Sequence, residues 1–275
     1  MKIKNIKLVT TCLVFFITIK LTAQETVTIP LSNSAKEGLL KMNIINGSIT
    51  IKGSDTKEVI IKGIKREKSK SYHSGRKTTK NDVSGLKRIS NNSLEFNAEE
   101  YDNVVRVQST PNGTTDFEIE VPTNFSLKIS TINKGDIYVE NVNGTMDVSN
   151  INGKITLKDI SGSVSADALN KDITVNFIKV TPNVAMAFSS LNGDIDITFP
   201  KTIKADIKVK SDRGEIYTDF DLKAKPSQAK ITKGDKSKGN AYNVKVEKWI
   251  IGAINGGGAE ILFKNFNGDV IIRAK

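Results

Sequence analysis

The stretch GDIYVENVN–GTMDVSNIN–GKITLKDIS–GSVSADALN–KDITVNFIK, residues 135–179, repeats with a period of nine residues. Gly opens four of its five units, at 135, 144, 153 and 162, and Lys171 stands at the fifth opening. Two, four and seven residues after each opening the side chain is apolar. The sets are Ile137, Val139, Val142; Met146, Val148, Ile151; Ile155, Leu157, Ile160; Val164, Ala166, Leu169; and Ile173, Val175, Ile178. The first two of each set alternate with polar residues, which is the period of a short strand with one buried face. Asn or Ser before the next Gly supplies residues that accept positive φ, so a turn is expected there.

A unit this short cannot bury its apolar face alone, but stacked units build a continuous core. The expected fold is all-β: a β-solenoid, a parallel β-helix-like stack of short strands with a nine-residue Asn-Gly turn repeat. The rival is an antiparallel sandwich of hairpins, because Asn-Gly is also the strongest hairpin signal. The strict register favours the stack. The same Gly-x-apolar signal returns at 46–51, 192–197, 213–218 and 267–272. Intervals of 22 and 21 residues separate position 171, Gly193 and Gly214, giving an expected coil of 18–22 residues. The segments 27–31, 59–64, 93–98, 104–109, 116–122 and 205–210 also alternate and read as strands.

The chain begins MKIKNIKLVTTCLVFFITIKLTAQ, with a basic start, an apolar run and Ala23 before Gln24. This is the layout of a signal peptide over 1–23, followed by one domain over 24–275. Cys12, the sole Cys, lies inside the apolar run rather than at its end, so no lipid anchor and no disulfide framework is expected. Export to the periplasm, the cell surface or the medium follows, with no transmembrane segment in the mature chain. The full chain carries 41 Lys+Arg against 30 Asp+Glu. Much of that excess sits in a loop insertion at about 65–90. We take Lys65, Arg66, Lys68, Lys70, Arg76, Lys77, Lys80, Lys87 and Arg88 as candidate polyanion-binding residues. An anionic polysaccharide or another envelope component is the expected partner. Export disfavours nucleic acid, and Tyr72 is the one aromatic there for base stacking.

The run DFEIEVPTNFSLKISTINKGDIYVENVNG (116–144) and the ending GAINGGGAEILFKNFNGDVIIRAK (252–275) carry a family resemblance. Together they resemble the bacterial putative-adhesin family of secreted β-strand-repeat proteins, catalogued as a domain of unknown function. They are also similar to the related autotransporter-adhesin head domains. The resemblance implies an envelope-associated, non-enzymatic protein and brings no ligand, cofactor or catalytic residue with it.

No GxSxG, HExxH, CxxC or phosphate-loop pattern occurs, and His73 is the single His. The repeat lacks the second Gly and regular Asp of calcium-binding nonapeptides, so no metal site or cofactor is expected. The alternative function is a polysaccharide-active enzyme on a β-helix scaffold. Its candidate carboxylates are Asp194 with Asp196, Asp219 with Asp221, and the row Asp116, Glu118, Glu120. Solvated strand faces place charges this way without chemistry, and Trp249 is the only Trp for a sugar platform. Asn143, Asn152 and Asn170, with Ser161 in register, are expected to stack as a structural ladder at the turns. The outward Tyr138, Asp147, Thr156, Ser165 and Thr174 form a polar face. Recruitment of another protein by strand addition at an exposed sheet end is the third possibility.

Overall fold

The computed structural model describes residues 24–66, 94–110, 113–226, 230–233, 242–245 and 249–275. Segment 1–23 and most of the basic segment, with its candidates Lys68, Lys70, Arg76, Lys77, Lys80, Lys87 and Arg88, lie outside the described residues.

Each nine-residue unit contributes one strand segment, the third and fourth units sharing β11, and the segments stack in two ladders. In the first ladder the order is β5 (Phe96–Tyr101), β6 (Val104–Ser109), β2 (Gly38–Asn46), β8 (Phe125–Asn133) and β10 (Asn143–Asn150). It continues through the second half of β11 (Ile155–Ala168), β13 (Met186–Asn192), β21 (Ala259–Asn267), β15 (Ala205–Ser211), β20 (Ile250–Ile254) and β17 (Lys225–Pro226). The second ladder runs β1 (Gln24–Pro30), β4 (Glu58–Lys65), β7 (Thr115–Pro122), β3 (Ile49–Ser54) and β9 (Ile137–Glu140). It continues through the first half of β11, β12 (Ile173–Val180), β14 (Ile195–Phe199), β22 (Val270–Ala274) and β16 (Ile216–Thr218). Because β11 serves both ladders, hydrogen bonds join them into one 20-stranded sheet. A separate hairpin pairs β18 (Lys230–Lys233) with β19 (Tyr242–Lys245).

The all-β expectation holds, and no helix occurs among the described residues. Strand orientation is mixed, which corrects a uniformly parallel expectation. The interior pairs are parallel: Ile137, Ile155 and Ile173 stack at 18-residue intervals, and Ile173 to Ile195 spans 22. Three of the four ladder ends are antiparallel, at β5–β6, β1–β4–β7 and β15–β20–β17, and the fourth, β22–β16, is parallel. The two-residue turn Asp102–Asn103 explains one of these, since φ of 50° and 60° is the primed hairpin geometry that reverses a strand at once. Antiparallel end strands also cover edges that a bare stack would expose.

The two ladders face one another across the core. Phe188 of β13 meets Phe199 of β14 edge-on at 6.4 Å, while Phe199 stacks on Phe177 at 5.1 Å and Phe188 on Phe263 at 5.3 Å. At one end Phe96 packs edge-on against Phe117 at 5.5 Å, so β5 closes the core there. The residues two and four after each unit opening are all buried, from Ile137 to Val175.

The seventh position behaves differently. Val142 and Ile160 are buried, whereas Ile151, Leu169 and Ile178 are 37%, 39% and 54% exposed. Two units make one full rung, so alternate units end at opposite corners of the stack. One corner points the residue inward and the other points it out. At Ile178 a register shift after Leu157 sets Phe177 opposite Ile160, and Phe177 takes the core position instead. The turns shift as well. Asn143 and Ser161 are strand residues, and the positive φ falls two residues earlier, on Asn141 (56°) and Asp159 (49°).

The Gly period has a steric cause. A Cβ on Gly153 would sit 1.9 Å from the Gly135 carbonyl oxygen, and one on Gly162 2.0 Å from that of Gly144. Backbone stacks directly on backbone at both corners, where Gly at these positions leaves the room.

Candidate functional site

Three columns of polar side chains run along the corner where β8, β10, β13 and β21 end. The outer column is amide on amide. Asn152 donates to Asn133 (2.7 Å), Asn170 to Asn152 (2.8 Å), Asn192 to Asn170 (3.1 Å) and Asn267 to Asn192 (2.8 Å). The expected ladder therefore exists, but with Asn133, Asn192 and Asn267 in it. Asn143 belongs to the other corner, where it donates to Asn124 at 2.7 Å.

A second column lies inside. Thr131, Asn150, Ser190 and Asn265 are buried, in register with one another through Ala168. Asn150 Nδ2 donates to the carbonyls of Gly135 and Lys154, and its Oδ1 accepts from Gly153 N. Thr131 and Asn265 donate likewise to Gly47 and Gly193 carbonyls. Each holds backbone of the turn that follows its strand or of the neighbouring turn.

The third column is acidic. Asp136 accepts from Lys154 N, Asp172 from Asp194 N, Asp194 from Asp269 N, and Asp269 from Glu215 N, at 2.8–3.2 Å. Asp194, one of the paired-carboxylate candidates, thus bonds the backbone of the next rung. Its supposed partner Asp196 forms a two-point ion pair with Arg273, at 2.8 and 3.0 Å. Asp219 accepts from Ala274 N at 2.6 Å, Glu118 pairs with Lys62 at 2.8 Å, and Asp116 pairs with Arg66.

Charges on the outer face of the second ladder also pair. Glu140 sits between Lys158 (2.6 Å) and Lys52 (3.8 Å). The Lys158 hydrogen bond lowers the Glu140 pKa; desolvation opposes it, and attraction from Lys158 and Lys52 keeps the net shift downward. Glu100 is lowered by the Ser32 backbone N–H. Desolvation pushes the Asp172 pKa up, but hydrogen bonds from Lys154 and Asp194 N and attraction from Lys154 and Lys171 carry the net shift downward. Among the described residues no three His, Cys, Asp or Glu side chains converge as metal ligands do.

Two of the basic candidates are placed. Lys65 ends β4, and Arg66 follows it. Arg66 is a clamp: Nε and Nη2 bind both Asp116 oxygens (2.5 and 2.6 Å), Nη1 donates to the Lys134 carbonyl (2.5 Å), and Nη2 also reaches Ser48 Oγ (2.9 Å). It fastens the chain to three elements immediately before the remaining cations.

A groove of about 690 Å³ lies at the corner opposite the Asn row, between the turns that precede β2, β4, β8 and β13. Ser34, Lys36 and Glu37, Asp55 and Thr56, Asn124, and Asn143 and Thr145 line it, with no aromatic side chain. Ser126 Oγ donates to Glu37 and accepts from Thr145 N, so the wall is braced across rungs. Hydroxyls and amides of this kind suit a polar ligand held by hydrogen bonds. Sequence reasoning missed the groove because its parts come from turns dozens of residues apart.

No family model and no curated protein matches the chain. Solved structures similar to it include a putative cell adhesion protein from Clostridium sporogenes, at 15% identity and TM-score 0.46, covering 93% of this chain and 100% of that one. A putative adhesin from Bacteroides fragilis is similar at 13% identity and TM-score 0.33, over 92% and 97%. Both are named for adhesion. At these scores neither likeness carries a residue or a role to this chain.

Proposed function

We propose that this chain is a non-enzymatic, exported module of the cell envelope, adhesin-like, on a two-sided β-solenoid scaffold, that contacts an anionic polysaccharide through its basic segment. The observation that supports this reading is the distribution of paired charge. The candidate carboxylates Asp194, Asp196, Asp219, Glu118 and Asp116 hold backbone or cations. The local cation excess lies in the segment after Arg66, which that clamp roots at a fixed point on β7 and the β8–β9 turn. Clustered cations attract a polyanion with strong salt dependence.

The test is binding of the full chain to immobilised heparin, as a polyanion probe, against a variant with Lys68, Lys70, Arg76, Lys77 and Lys80 changed to Gln. At least tenfold weaker binding with a flatter salt dependence is expected. Equal binding by the folded variant refutes the polyanion contact. Protease treatment of intact cells, read out on residues 62–88, separates surface from periplasm, because exposed polar segments are cut early.

A further inference from the structure

One corner of the stack carries a row of outward apolar side chains that the core does not use. Ile45, Ile132, Ile151, Leu169, Leu191 and Phe266 occupy six successive rungs, each 37–45% exposed. Their alignment follows from the pairing: Asn46 with Asn133, Thr131 with Asn150, Asn150 with Ala168, Ala168 with Ser190, and Asn192 with Asn267. The row is bounded. Arg213 covers the Phe266 ring at 4.9 Å at one end. At the other, Ile45 is followed by the level of exposed Thr110 on the rung of β6. In the other outward columns polar residues interrupt the apolar ones, as Ser165 and Lys208 flank Ala187 and Leu262, so apolar residues in six consecutive outward positions are not a by-product of strand alternation.

We infer that this row is the interface for a second copy of the chain, packed antiparallel along it. Three features favour that occupant. First, the row repeats at the strand spacing of ~4.8 Å over ~24 Å, and another strand ladder with the same spacing matches every gap. Second, six side chains about two-fifths exposed present on the order of 400 Å² of apolar surface, the size of the largest patch on a monomer, which is often functional. With the adjoining Asn row it approaches the roughly 800 Å² per partner of a standard interface. Third, the flanks fit themselves. On one side stands the Asn row, whose amides both donate and accept, and on the other stand Asn43, Ser130, Ser149, Asp167, Ser189 and Lys264. Antiparallel packing about a two-fold axis brings Lys264 against Asn43 and Asp167 against Ser149. Parallel packing would gather Lys264 and Arg213 of both copies at one end. This interface is independent of the polyanion contact and stands or falls separately.

The test uses the full chain with Cys12→Ser, in sedimentation equilibrium up to about 100 μM. A concentration-dependent dimer is expected, weakened at least tenfold by Ile151→Lys with Leu169→Lys, with the β-type circular dichroism retained. A second experiment mixes one preparation carrying Ile45→Cys with another carrying Phe266→Cys under mild oxidation. A mixed disulfide dimer should form faster than an Ile45→Cys homodimer, because the antiparallel row sets those positions opposite each other. A chain that stays monomeric throughout, a folded double-Lys variant that dimerises as before, or absence of the mixed disulfide each overturns the inference. Should the double-Lys variant fail to fold, the cysteine pair decides.

Discussion

Gly162 shows how a single atom is excluded. Its φ of 116° is one that side-chain-bearing residues rarely adopt, and a Cβ there meets the Gly144 backbone. Gly162→Ala should therefore destabilise the fold by about 2 kcal/mol or more, read from urea unfolding. A change below about 0.5 kcal/mol would show that the corner yields easily. Glu140 makes a pH prediction. Its folded pKa lies below the ordinary 4.5, so its contribution is complete above that value and is lost as pH falls through the lowered folded value. Glu140→Gln should flatten the acid limb of the urea-midpoint curve below about pH 4.5. An unchanged limb would mean that Lys158 and Lys52 add nothing to folding.

At the scale of elements, the two Asn columns look alike in sequence and differ in consequence. Asn170 is half-buried and joins two other side-chain amides. Asn265 is buried and holds the Gly193 carbonyl. Asn170→Ala should remove about 0.5–1 kcal/mol, because water replaces its partners. Asn265→Ala should remove about 2–3 kcal/mol, because buried turn carbonyls lose their donor. Thermal melts of the two variants order them, and equal effects would contradict the assignment. The repeat made a stacked Asn column legible at 152 and 170. It could not say that Asn143 sits at the other corner, since corner identity depends on how many units close one rung.

At the scale of the whole molecule, chain order and spatial order disagree at both ends. The rung of β2 and β3 lies between that of β6 and β7 and that of β8 and β9. The last rung, β21 and β22, lies between that of β13 and β14 and that of β15 and β16. Removing Ala259–Lys275 therefore takes out an interior layer and uncovers Phe188, which stacks on Phe263. The truncated chain should lose protection from limited proteolysis back to Met186 rather than fray at its end. Cleavage confined to residues beyond Ala205 would contradict the intercalated order.

The sequence by itself determined the all-β class, the strand-length period, the inward pair in each unit and the place of a turn between units. These are local: they follow from alternation and from turn-forming residues, whereas the steric need for Gly where backbone stacks on backbone appears only in the fold. Only the tertiary structure decided which corner each unit closes, and so why Val142 is core while Ile151 is surface. It alone decided the intercalated end rungs, the antiparallel ends, the Arg66 clamp and the polar groove. The intercalated rungs, the clamp and the groove depend on pairings between residues some 50 to 90 positions apart, where many partners satisfy the same alternation and packing of the whole stack selects one.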